Sequence, residues 1–283
     1  IRPLLCLIAA ELCGGERGKA EPAAVAVEML HNFTLLHDDI MDCSPLRRGK
    51  PTVFRKYDQN KAILSGDAMF ACAFKYLLQC DKEVIPQLTE TLTRGAIEVC
   101  EGQGFDMDFE NRQTVSTDEY LQMIKLKPGV LLSTALQLGA ITAKADEKTL
   151  NLLDTFGKYI GIAFQIKDDM LDCWSDLDTF GKVCGADIID RKKTFLYITA
   201  LESATQTQRQ ELLSLYENTT LDKDEKIQKV RAIYEQLSVA QKAQKAVEEY
   251  NSKAFEALEQ IEVAPQRKAT LIEVAKKLIN RNK

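Results

Sequence analysis

The chain has 283 residues, of which 37 are Lys or Arg and 42 are Asp or Glu, giving a formal net charge of −5. This balance leaves no basic patch large enough to indicate nucleic-acid binding. No apolar run is long enough to span a bilayer, and no signal segment is visible. Because helical patterning continues without a long linker, we expect residues 1–283 to form one large domain.

The first informative element is a helical run that ends in an acidic motif. Residues at helical spacing lead into it: Val27, Leu30 and Thr34. The first aspartate motif reads Asp-Asp-Ile-Met-Asp over residues 38–42. Because residues four apart lie on one face of a helix, Asp38 and Asp42 are predicted to point the same way.

A basic loop is predicted directly after this motif. Residues 44–51 read Ser-Pro-Leu-Arg-Arg-Gly-Lys-Pro, and their Pro and Gly residues interrupt the helical pattern. Arg47 and Arg48 carry guanidinium groups, whose planar geometry matches phosphate oxygens. An ordinary exposed pair is the alternative interpretation, but the position after an acidic motif favours an anion site.

A further helix is predicted to begin near residue 116. Ser116 and Glu119 have the spacing of a capping box, in which side chains at the two positions satisfy free backbone N–H groups. The predicted helix then runs through Tyr120, Met123 and Ile124.

A second helical run ends in the same acidic pattern. Its residues at helical spacing are Leu153, Phe156, Ile160 and Phe164. The second aspartate motif reads Asp-Asp-Met-Leu-Asp over residues 168–172, with Asp168 and Asp172 on one face. Basic residues follow this motif too: Lys182, Arg191, Lys192 and Lys193.

The last third of the chain is rich in Gln, Glu, Lys and Ala at helical spacing, which is typical of packing and surface helices. No convincing strand with a period of two residues is apparent in the sequence. We therefore predict an all-α bundle of ten or more helices, antiparallel where the loops are short.

The two carboxylate pairs, each at the end of an apolar face, indicate a hydrophobic pocket with an acidic opening. A solvated acidic face is the usual interpretation of one such run, but the repetition disfavours it. Clustered carboxylates repel one another without a cation, and oxygen ligands suit Mg²⁺, which shares its coordination with phosphates and water. The predicted ligand is a magnesium-bound phosphate ester with a hydrophobic tail.

The eight cysteines are scattered, with no Cys-x-x-Cys pair and only two His residues in the chain. Zinc binding is therefore not expected. Most of the thiols fall within helical patterns, as small buried residues do in a reducing compartment, so we predict a cytoplasmic protein.

The content and order of these motifs resemble those of the trans-type polyprenyl diphosphate synthases, which belong to the isoprenoid synthase superfamily. The resemblance covers roughly residues 1–200. Besides the two aspartate motifs, the matching segments are Ile1-Arg2-Pro3, Leu46-Arg47-Arg48-Gly49, Gly66-Asp67, Gly102-Gln103, Lys127-x-Gly129, Phe164-Gln165, Phe180-Gly181-Lys182 and Lys192-Lys193-Thr194.

The resemblance implies the isoprenoid synthase fold, in which the two motifs face each other across a central cavity, and it implies Mg²⁺ as the cofactor. The principal metal ligands that it implies are Asp38, Asp42 and Asp168. The aspartates implied to support them are Asp39, Asp169 and Asp172.

The implied substrates are isopentenyl diphosphate and an allylic prenyl diphosphate. The residues that resemble the family's allylic diphosphate site are Arg47, Lys127 and Lys182. Those that resemble its isopentenyl diphosphate site are Arg2, His31 and Arg48, with Phe164 near the double bond. The resemblance also implies polar groups close to the allylic headgroup at Gln165 and Asp187, and a further basic residue at Lys192.

The implied activity is head-to-tail condensation of these two substrates through Mg²⁺-assisted ionisation, giving a short-chain all-trans product of 15 to 20 carbons. Residues four and five before the first aspartate shape the pocket floor in this family, and here they are Thr34 and Phe33. A Phe some 7 to 8 Å down the helix predicts a short product. The small Thr34 favours 20 carbons over 15.

Two departures from the family pattern bear on these expectations. Pro128 stands where the family usually has Thr, so a hydroxyl and a backbone N–H are missing beside Lys127. The chain also begins within the first family motif, without the Gly-Lys that normally precedes it, so we expect residues upstream of Ile1 in the full protein.

The same motifs leave two alternative classes of protein open. A class I terpene cyclase is an alternative, but its second metal motif normally contains Asn, Ser and Glu. A non-catalytic partner subunit is another, although such a subunit is expected to lose a motif or the basic loop. The resemblance also implies a homodimer, and small residues such as Ala68, Ala71 and Gly95 would permit close helix packing.

Overall fold

The computed structural model describes residues 1–174 and 185–279, and helices account for most of them. More than ten helices occur in these residues, which confirms the predicted all-α bundle. The chain divides into two compact units, and each contains three separate stretches of sequence. The first unit comprises Ile1–Ile97, Leu131–Gly157 and Leu258–Leu271, and the second comprises Glu98–Val130, Lys158–Ala257 and Ile272–Lys283.

The first unit is built around the long helix that carries the first aspartate motif. Its complete elements are α1 (Arg2–Leu12), α2 (Arg17–Met41), β1 (Leu46–Arg47), β2 (Lys50–Pro51), α3 (Val53–Lys56) and α4 (Gln59–Leu77). Helix α2 packs against α1 and α4. The predicted apolar run is confirmed here, because Val27 and Leu30 of α2 are fully buried.

Strands β1 and β2 form an antiparallel hairpin where the sequence predicts a loop. Its two-residue turn consists of Arg48 and Gly49, both with positive φ values, of 53° and 73°. Two positive φ values in succession match the twist of paired strands. Turns of this kind usually contain Asn-Gly or Asp-Gly. Because Arg48-Gly49 lacks that signal, the strand pair is not apparent in the sequence.

The second unit contains the helices that follow and precede the second aspartate motif. Its complete elements are α6 (Thr117–Ile124), a π-helix (Lys125–Gly129), α9 (Ala186–Ile189), α10 (Phe195–Ser203), α11 (Gln206–Glu217) and α12 (Lys223–Gln236). Five helices contribute residues to both units: α5 (Ile85–Asn111), α7 (Val130–Thr142), α8 (Glu147–Trp174), α13 (Val239–Glu259) and α14 (Pro265–Ile279).

The predicted capping box at the start of α6 is confirmed. The Ser116 side chain accepts the Glu119 N–H, and the Glu119 carboxylate accepts the Ser116 N–H. Three side chains of the helix are buried, as its apolar spacing predicts: Tyr120, Met123 and Ile124.

A π-helix follows α6 directly and contains Lys127 and Pro128. Proline has no N–H for the bond to the carbonyl four residues earlier, and its ring crowds that carbonyl. A local widening of the helix avoids both problems, and such widened turns are frequent at functional sites. The sequence predicts the missing N–H but not this change in helix type.

None of the helices in the described part of the chain is both long and apolar enough to cross a membrane.

Candidate active site

The first aspartate motif occupies the C-terminal end of α2, and its three aspartates have different surroundings. Asp38 is half-buried and Asp42 is exposed, whereas Asp39 is only 4% exposed. Neighbouring helix residues are rotated by about 100° about the axis, so Asp39 points in a different direction from Asp38. The predicted pairing of Asp38 with Asp42 on the more accessible face agrees with this pattern.

Asp39 binds the basic hairpin to the end of α2. Its Oδ1 accepts hydrogen bonds from both Nε and Nη2 of Arg47, each at 2.7 Å. The base of the hairpin is closed by the Thr52 hydroxyl, which donates to the Ser44 carbonyl at 2.8 Å. Arg47, predicted to hold the allylic diphosphate, is therefore fixed by a buried carboxylate of the motif.

The three residues predicted for isopentenyl diphosphate, Arg2, His31 and Arg48, lie close enough to influence one another's charge. Burial, followed by repulsion from Arg2 and Arg48, lowers the pKa of His31 to about 3. Burial is also the main cause that lowers the pKa of Arg2 to about 10, with Glu28 opposing the shift. The cluster therefore has excess positive potential before an anion binds.

Several buried polar atoms of the same cluster have no hydrogen-bond partner among the described protein groups. Arg2 Nε and His31 Nδ1 are buried and have no hydrogen-bond partner among the described residues. Glu28 Oε2 is also buried without a partner among the described residues. The other carboxylate oxygen of Glu28, Oε1, accepts a hydrogen bond from Asn32 Nδ2 at 3.3 Å. Buried groups of this kind normally find a partner in protein, water or a ligand.

Phe33, the predicted chain-length residue, belongs to an aromatic group between α2 and α4. Its ring lies 4.7 Å from the His37 ring and 5.1 Å from the Phe70 ring, and Phe70 in turn contacts Phe74. Phe33 is half-buried rather than fully enclosed. Thr34, also half-buried, uses its hydroxyl to bond the His31 carbonyl at 2.8 Å.

The second aspartate motif lies near the C-terminal end of α8. Asp168 is half-buried, whereas Asp169 is 3% exposed and accepts three hydrogen bonds. Asp169 Oδ2 accepts the Tyr120 hydroxyl at 2.6 Å and the Phe195 N–H at 3.1 Å, and Oδ1 accepts Gln165 Nε2 at 3.0 Å. Burial and then the nearby Asp187 raise the pKa of Asp169 to about 7.

Asp172, the last aspartate of this motif, contacts the segment that begins at Gly185. Its Oδ2 accepts the Asp187 N–H at 3.1 Å, and its carbonyl accepts the Gly185 N–H at 2.7 Å. Gly185 has a φ of 82°, which favours glycine, and a Cβ there would collide with Ile227. Asp172 is 9% exposed, so it is far less accessible than Asp42.

Lys127 lies on the π-helix and forms an ion pair with Asp106, with a Nζ to Oδ2 distance of 2.7 Å. The backbone around Lys127 is closely packed, because a Cβ on Gly102 would lie 2.8 Å from the Lys127 N. A Cβ on Gly161 would collide with Gly129. These two glycines explain how α5 and α8 approach the π-helix within the second unit.

The remaining predicted residues are placed as follows. Phe164 is half-buried on α8, and Lys192 is exposed, with its N–H bonded to the Asp187 carbonyl at 2.9 Å. The amide nitrogen of Gln165 donates a hydrogen bond to Asp169 Oδ1. Lys182 lies outside the described residues.

The donor chemistry of the accessible aspartates fits Mg²⁺. Asp38, Asp42 and Asp168 offer only carboxylate oxygens, which this ion prefers. Among the described residues, no group of three His, Cys, Asp or Glu side chains could hold a metal ion on its own.

Several site features were not predicted from the sequence. The sequence indicates Tyr120 only as a helix residue, and no local pattern distinguishes Asp106 or Glu28 from other helix residues. Gln103 lies in a matching segment, yet no role was predicted for it. Both polar atoms of its side chain are buried without a partner in the described part of the chain. Only the three-dimensional contacts of these residues distinguish them from ordinary helix residues.

Comparison with known proteins agrees with these observations. A sequence model of the family described as "Polyprenyl synthetase" matches residues 1–237. The chain belongs to the polyprenyl synthetase family. Family members use a divalent metal ion, which agrees with the oxygen ligands of the two aspartate motifs.

Individual members of the polyprenyl synthetase family match almost the whole chain. It is 36% identical to a short chain isoprenyl diphosphate synthase of Methanothermobacter thermautotrophicus, over 95% of this chain and 82% of that protein. It is 37% identical to a geranylgeranyl pyrophosphate synthase of Geoglobus acetivorans, over 100% of this chain and 86% of that protein. A solved geranylgeranyl pyrophosphate synthase aligns with a TM-score of 0.95 at 44% identity, covering 100% of this chain and 87% of the other.

The state of His31 gives a direct test of the positive cluster. We expect His31 to stay neutral from about pH 5 to pH 8 in the free protein, because burial and two arginines lower its pKa far below this range. Isopentenyl diphosphate should raise the pKa, since an adjacent anion favours the protonated ring. The measurement is a pH titration of the imidazole resonances by NMR.

The chain contains only two His residues, so the variant His37→Gln assigns the spectrum and serves as the control. A His31 resonance that titrates near its ordinary value in the free protein, or that does not respond to isopentenyl diphosphate, would contradict the assignment of this cluster.

Proposed function

We propose that this chain is a Mg²⁺-dependent trans-prenyltransferase that condenses isopentenyl diphosphate with an allylic diphosphate to give geranylgeranyl diphosphate. Condensation of short-chain prenyl diphosphates is the activity of its relatives in the polyprenyl synthetase family. The observation that carries the proposal for this chain is the pair of aspartate motifs, each with a buried middle carboxylate and a more accessible neighbour.

The proposed metal ligands are the more accessible carboxylates Asp38, Asp42 and Asp168. When bound, Mg²⁺ would neutralise the charge that develops on the departing diphosphate. The middle aspartates are proposed to act differently, because protein donors already bond Oδ1 of Asp39 and both oxygens of Asp169. They would support the ligands by fixing the direction of each motif.

The proposed binding groups for the allylic diphosphate are Arg47, Lys127 and Lys182. Arg47 is already oriented by Asp39, so little side-chain freedom would be lost on binding. Lys127 is paired with Asp106, and the diphosphate would compete for its ammonium group. Gln165, Asp187 and Lys192 are proposed to lie around the same headgroup, which agrees with their contacts to the second motif or to one another.

For isopentenyl diphosphate, the proposed site is the cluster of Arg2, His31 and Arg48, with Phe164 near the double bond. The mutual repulsion in this cluster and its unpartnered buried nitrogens support an anionic ligand. Bound at a fixed distance and angle, the double bond would attack the allylic cation, and loss of a proton would leave a chain five carbons longer. Positioning of the two reactants supplies much of the rate.

A product of 20 carbons is proposed for two reasons. Phe33 lies below the first motif within an aromatic group, where a growing prenyl chain would meet its ring. Thr34 is small and leaves more room beneath Asp38 than a second aromatic residue would. The compared protein from Geoglobus acetivorans and the solved structure are both named geranylgeranyl pyrophosphate synthases, and a geranylgeranyl group has 20 carbons.

A homodimer is proposed as the assembly. Helix α4 presents an apolar stripe in which Leu64 and the C-cap residue Leu78 are each 67% exposed, with the exposed Ala68 and Ala71 between them. These positions recur at helical spacing, and apolar stripes of this kind commonly mark protein interfaces. A second copy of the chain is the proposed partner, and sedimentation equilibrium would measure the mass of the assembly.

The cytoplasm is proposed as the compartment. Cys6 and Cys80 are buried free thiols. Burial raises the pKa of both thiols, which keeps them protonated and unreactive.

A single-domain organisation is likewise proposed, because the matching family model includes residues of both compact units.

The class of reaction is tested by incubating the protein with Mg²⁺, isopentenyl diphosphate and allylic diphosphates of 5, 10 or 15 carbons. We expect elongated diphosphates, identified by mass spectrometry. Asp38→Ala and Asp168→Ala should each lower the rate by at least about a hundredfold, the usual effect of losing a group that stabilises developing charge. Asp81→Ala changes an exposed aspartate outside both motifs and is the matched control.

Three results would contradict this proposal. Undiminished elongation in both Asp38→Ala and Asp168→Ala would contradict the assignment of these aspartates as metal ligands. Cyclic hydrocarbons as the product would indicate a terpene cyclase. A lack of any product from a folded protein would favour a non-catalytic partner subunit.

Product length is tested by Phe33→Ala. Removing the ring should lengthen the product by one or more five-carbon units, because it removes the proposed steric stop. The measurement is the product mass at fixed substrate ratio. Phe54→Ala removes a half-buried ring from α3, outside the aromatic group, and should leave the product unchanged. An unaltered product in Phe33→Ala would exclude Phe33 as the residue that sets the length.

A further inference from the structure

Tyr120 is the side chain that links the second aspartate motif to a distant part of the sequence. Its ring is 3% exposed, and its hydroxyl donates to Asp169 Oδ2 at 2.6 Å across 49 residues of chain. A hydroxyl that donates to a carboxylate forms a short and comparatively strong hydrogen bond. Neither the family resemblance nor the sequence pattern gave Tyr120 a role beyond helix packing.

The Asp169 carboxylate joins three segments of the second unit. Tyr120 belongs to α6, which continues without a break into the π-helix that carries Lys127. Gln165 belongs to α8, as does Asp169 itself. The Phe195 N–H begins α10, three residues after Lys192. Each segment therefore contains a residue of the proposed active site or lies within three residues of one.

The direction of Asp169 also determines the direction of Asp168. The two residues are neighbours on one helix, so their side chains leave the axis about 100° apart. When Tyr120 and Phe195 hold Asp169 inside the protein, Asp168 is held on the more accessible side. Loss of the hydroxyl bond would allow this end of α8 to rotate or the buried carboxylate to seek another partner.

We propose that Tyr120 is a positioning residue of the active site, whose hydroxyl bond to Asp169 fixes both the accessible direction of Asp168 and the segment that carries Lys127. This inference rests on the proposed function, because it assigns Tyr120 an effect on metal and diphosphate binding. Tyr120 itself is not proposed to touch the substrate or the metal ion.

The test compares Tyr120→Phe with Tyr234→Phe. Both substitutions remove one buried hydroxyl from the second unit and keep the ring, since the Tyr234 hydroxyl bonds that of Tyr216 at 2.8 Å. Tyr120→Phe should lower kcat by about ten- to a hundredfold, as expected for groups that orient metal ligands. It should also raise the Mg²⁺ concentration for half-maximal rate and the KM for the allylic diphosphate.

The KM for isopentenyl diphosphate should not change in Tyr120→Phe, because Arg2, His31 and Arg48 belong to the first compact unit, whereas Tyr120 and Asp169 belong to the second. Calorimetric titration with Mn²⁺ in the presence of inorganic pyrophosphate provides a readout independent of turnover, and the affinity should fall. Tyr234→Phe should lower the melting temperature to a similar extent without changing either the kinetics or Mn²⁺ binding.

A double-mutant cycle with Asp169→Asn tests the link itself. If the two groups act through one hydrogen bond, the loss in the double variant should be clearly smaller than the product of the single losses. Asp169→Asn keeps the side-chain shape, so it also decides the question if Tyr120→Phe does not fold. In that case, unchanged Mn²⁺ binding in Asp169→Asn would overturn the inference.

The outcomes separate this inference from the proposed function. If the unmodified protein elongates prenyl chains but Tyr120→Phe behaves as Tyr234→Phe does, the positioning role is wrong and the function stands. If the unmodified protein shows no elongation at all, the proposed function fails first, and the Mn²⁺ titration alone tests the hydrogen bond.

Discussion

The rotation of about 100° between neighbouring helix residues separates the middle aspartate of each motif from the aspartate directly before it. In both motifs the middle carboxylate is buried and bonded to the protein. Asp39 accepts Arg47, and Asp169 accepts Tyr120, Gln165 and the Phe195 N–H. A buried carboxylate without donors would be strongly unfavourable, so these contacts also fix the segments that provide the donors.

The cluster of Arg2, His31 and Arg48 provides a second constraint, because its members are buried or lie close to other positive charges. Burial, followed by the charges of Arg2 and Arg48, lowers the pKa of His31 and keeps it neutral, and buried nitrogens of Arg2 and His31 have no partner among the described residues. A cluster in this condition is less favourable in the free protein than with an anion bound. The proposed function assigns a ligand of opposite charge to each group, divalent cations to the accessible aspartates and a diphosphate to this basic cluster.

Local patterns allowed much of the fold to be predicted from the sequence. The capping box of Ser116 and Glu119, the apolar runs before both motifs and the same-face pairing of Asp38 with Asp42 all depend on residues within a few helical turns. The hairpin at Arg48-Gly49 and the π-helix at Pro128 were not predicted, because each depends on a backbone conformation with only a weak sequence signal.

The partners of the buried aspartates could not be predicted for a different reason. Tyr120 and Asp169 are 49 residues apart, and nothing in either local sequence indicates that they meet. Asp106 and Lys127 are 21 residues apart and pair only because Gly102 and Gly161 let α5 and α8 approach the π-helix. Such contacts follow from packing, whereas the motifs follow from spacing.

The central claim is that accessible aspartates bind the divalent ions while the middle ones position them. Electron paramagnetic resonance of Mn²⁺ bound with inorganic pyrophosphate tests it most directly, in the variants Asp38→Asn, Asp39→Asn, Asp168→Asn and Asp169→Asn. The account predicts that Asp38→Asn and Asp168→Asn reduce the number of bound ions. Asp39→Asn and Asp169→Asn should keep that number and only weaken affinity. Loss of ions in the middle variants, with full occupancy in Asp38→Asn and Asp168→Asn, would contradict it.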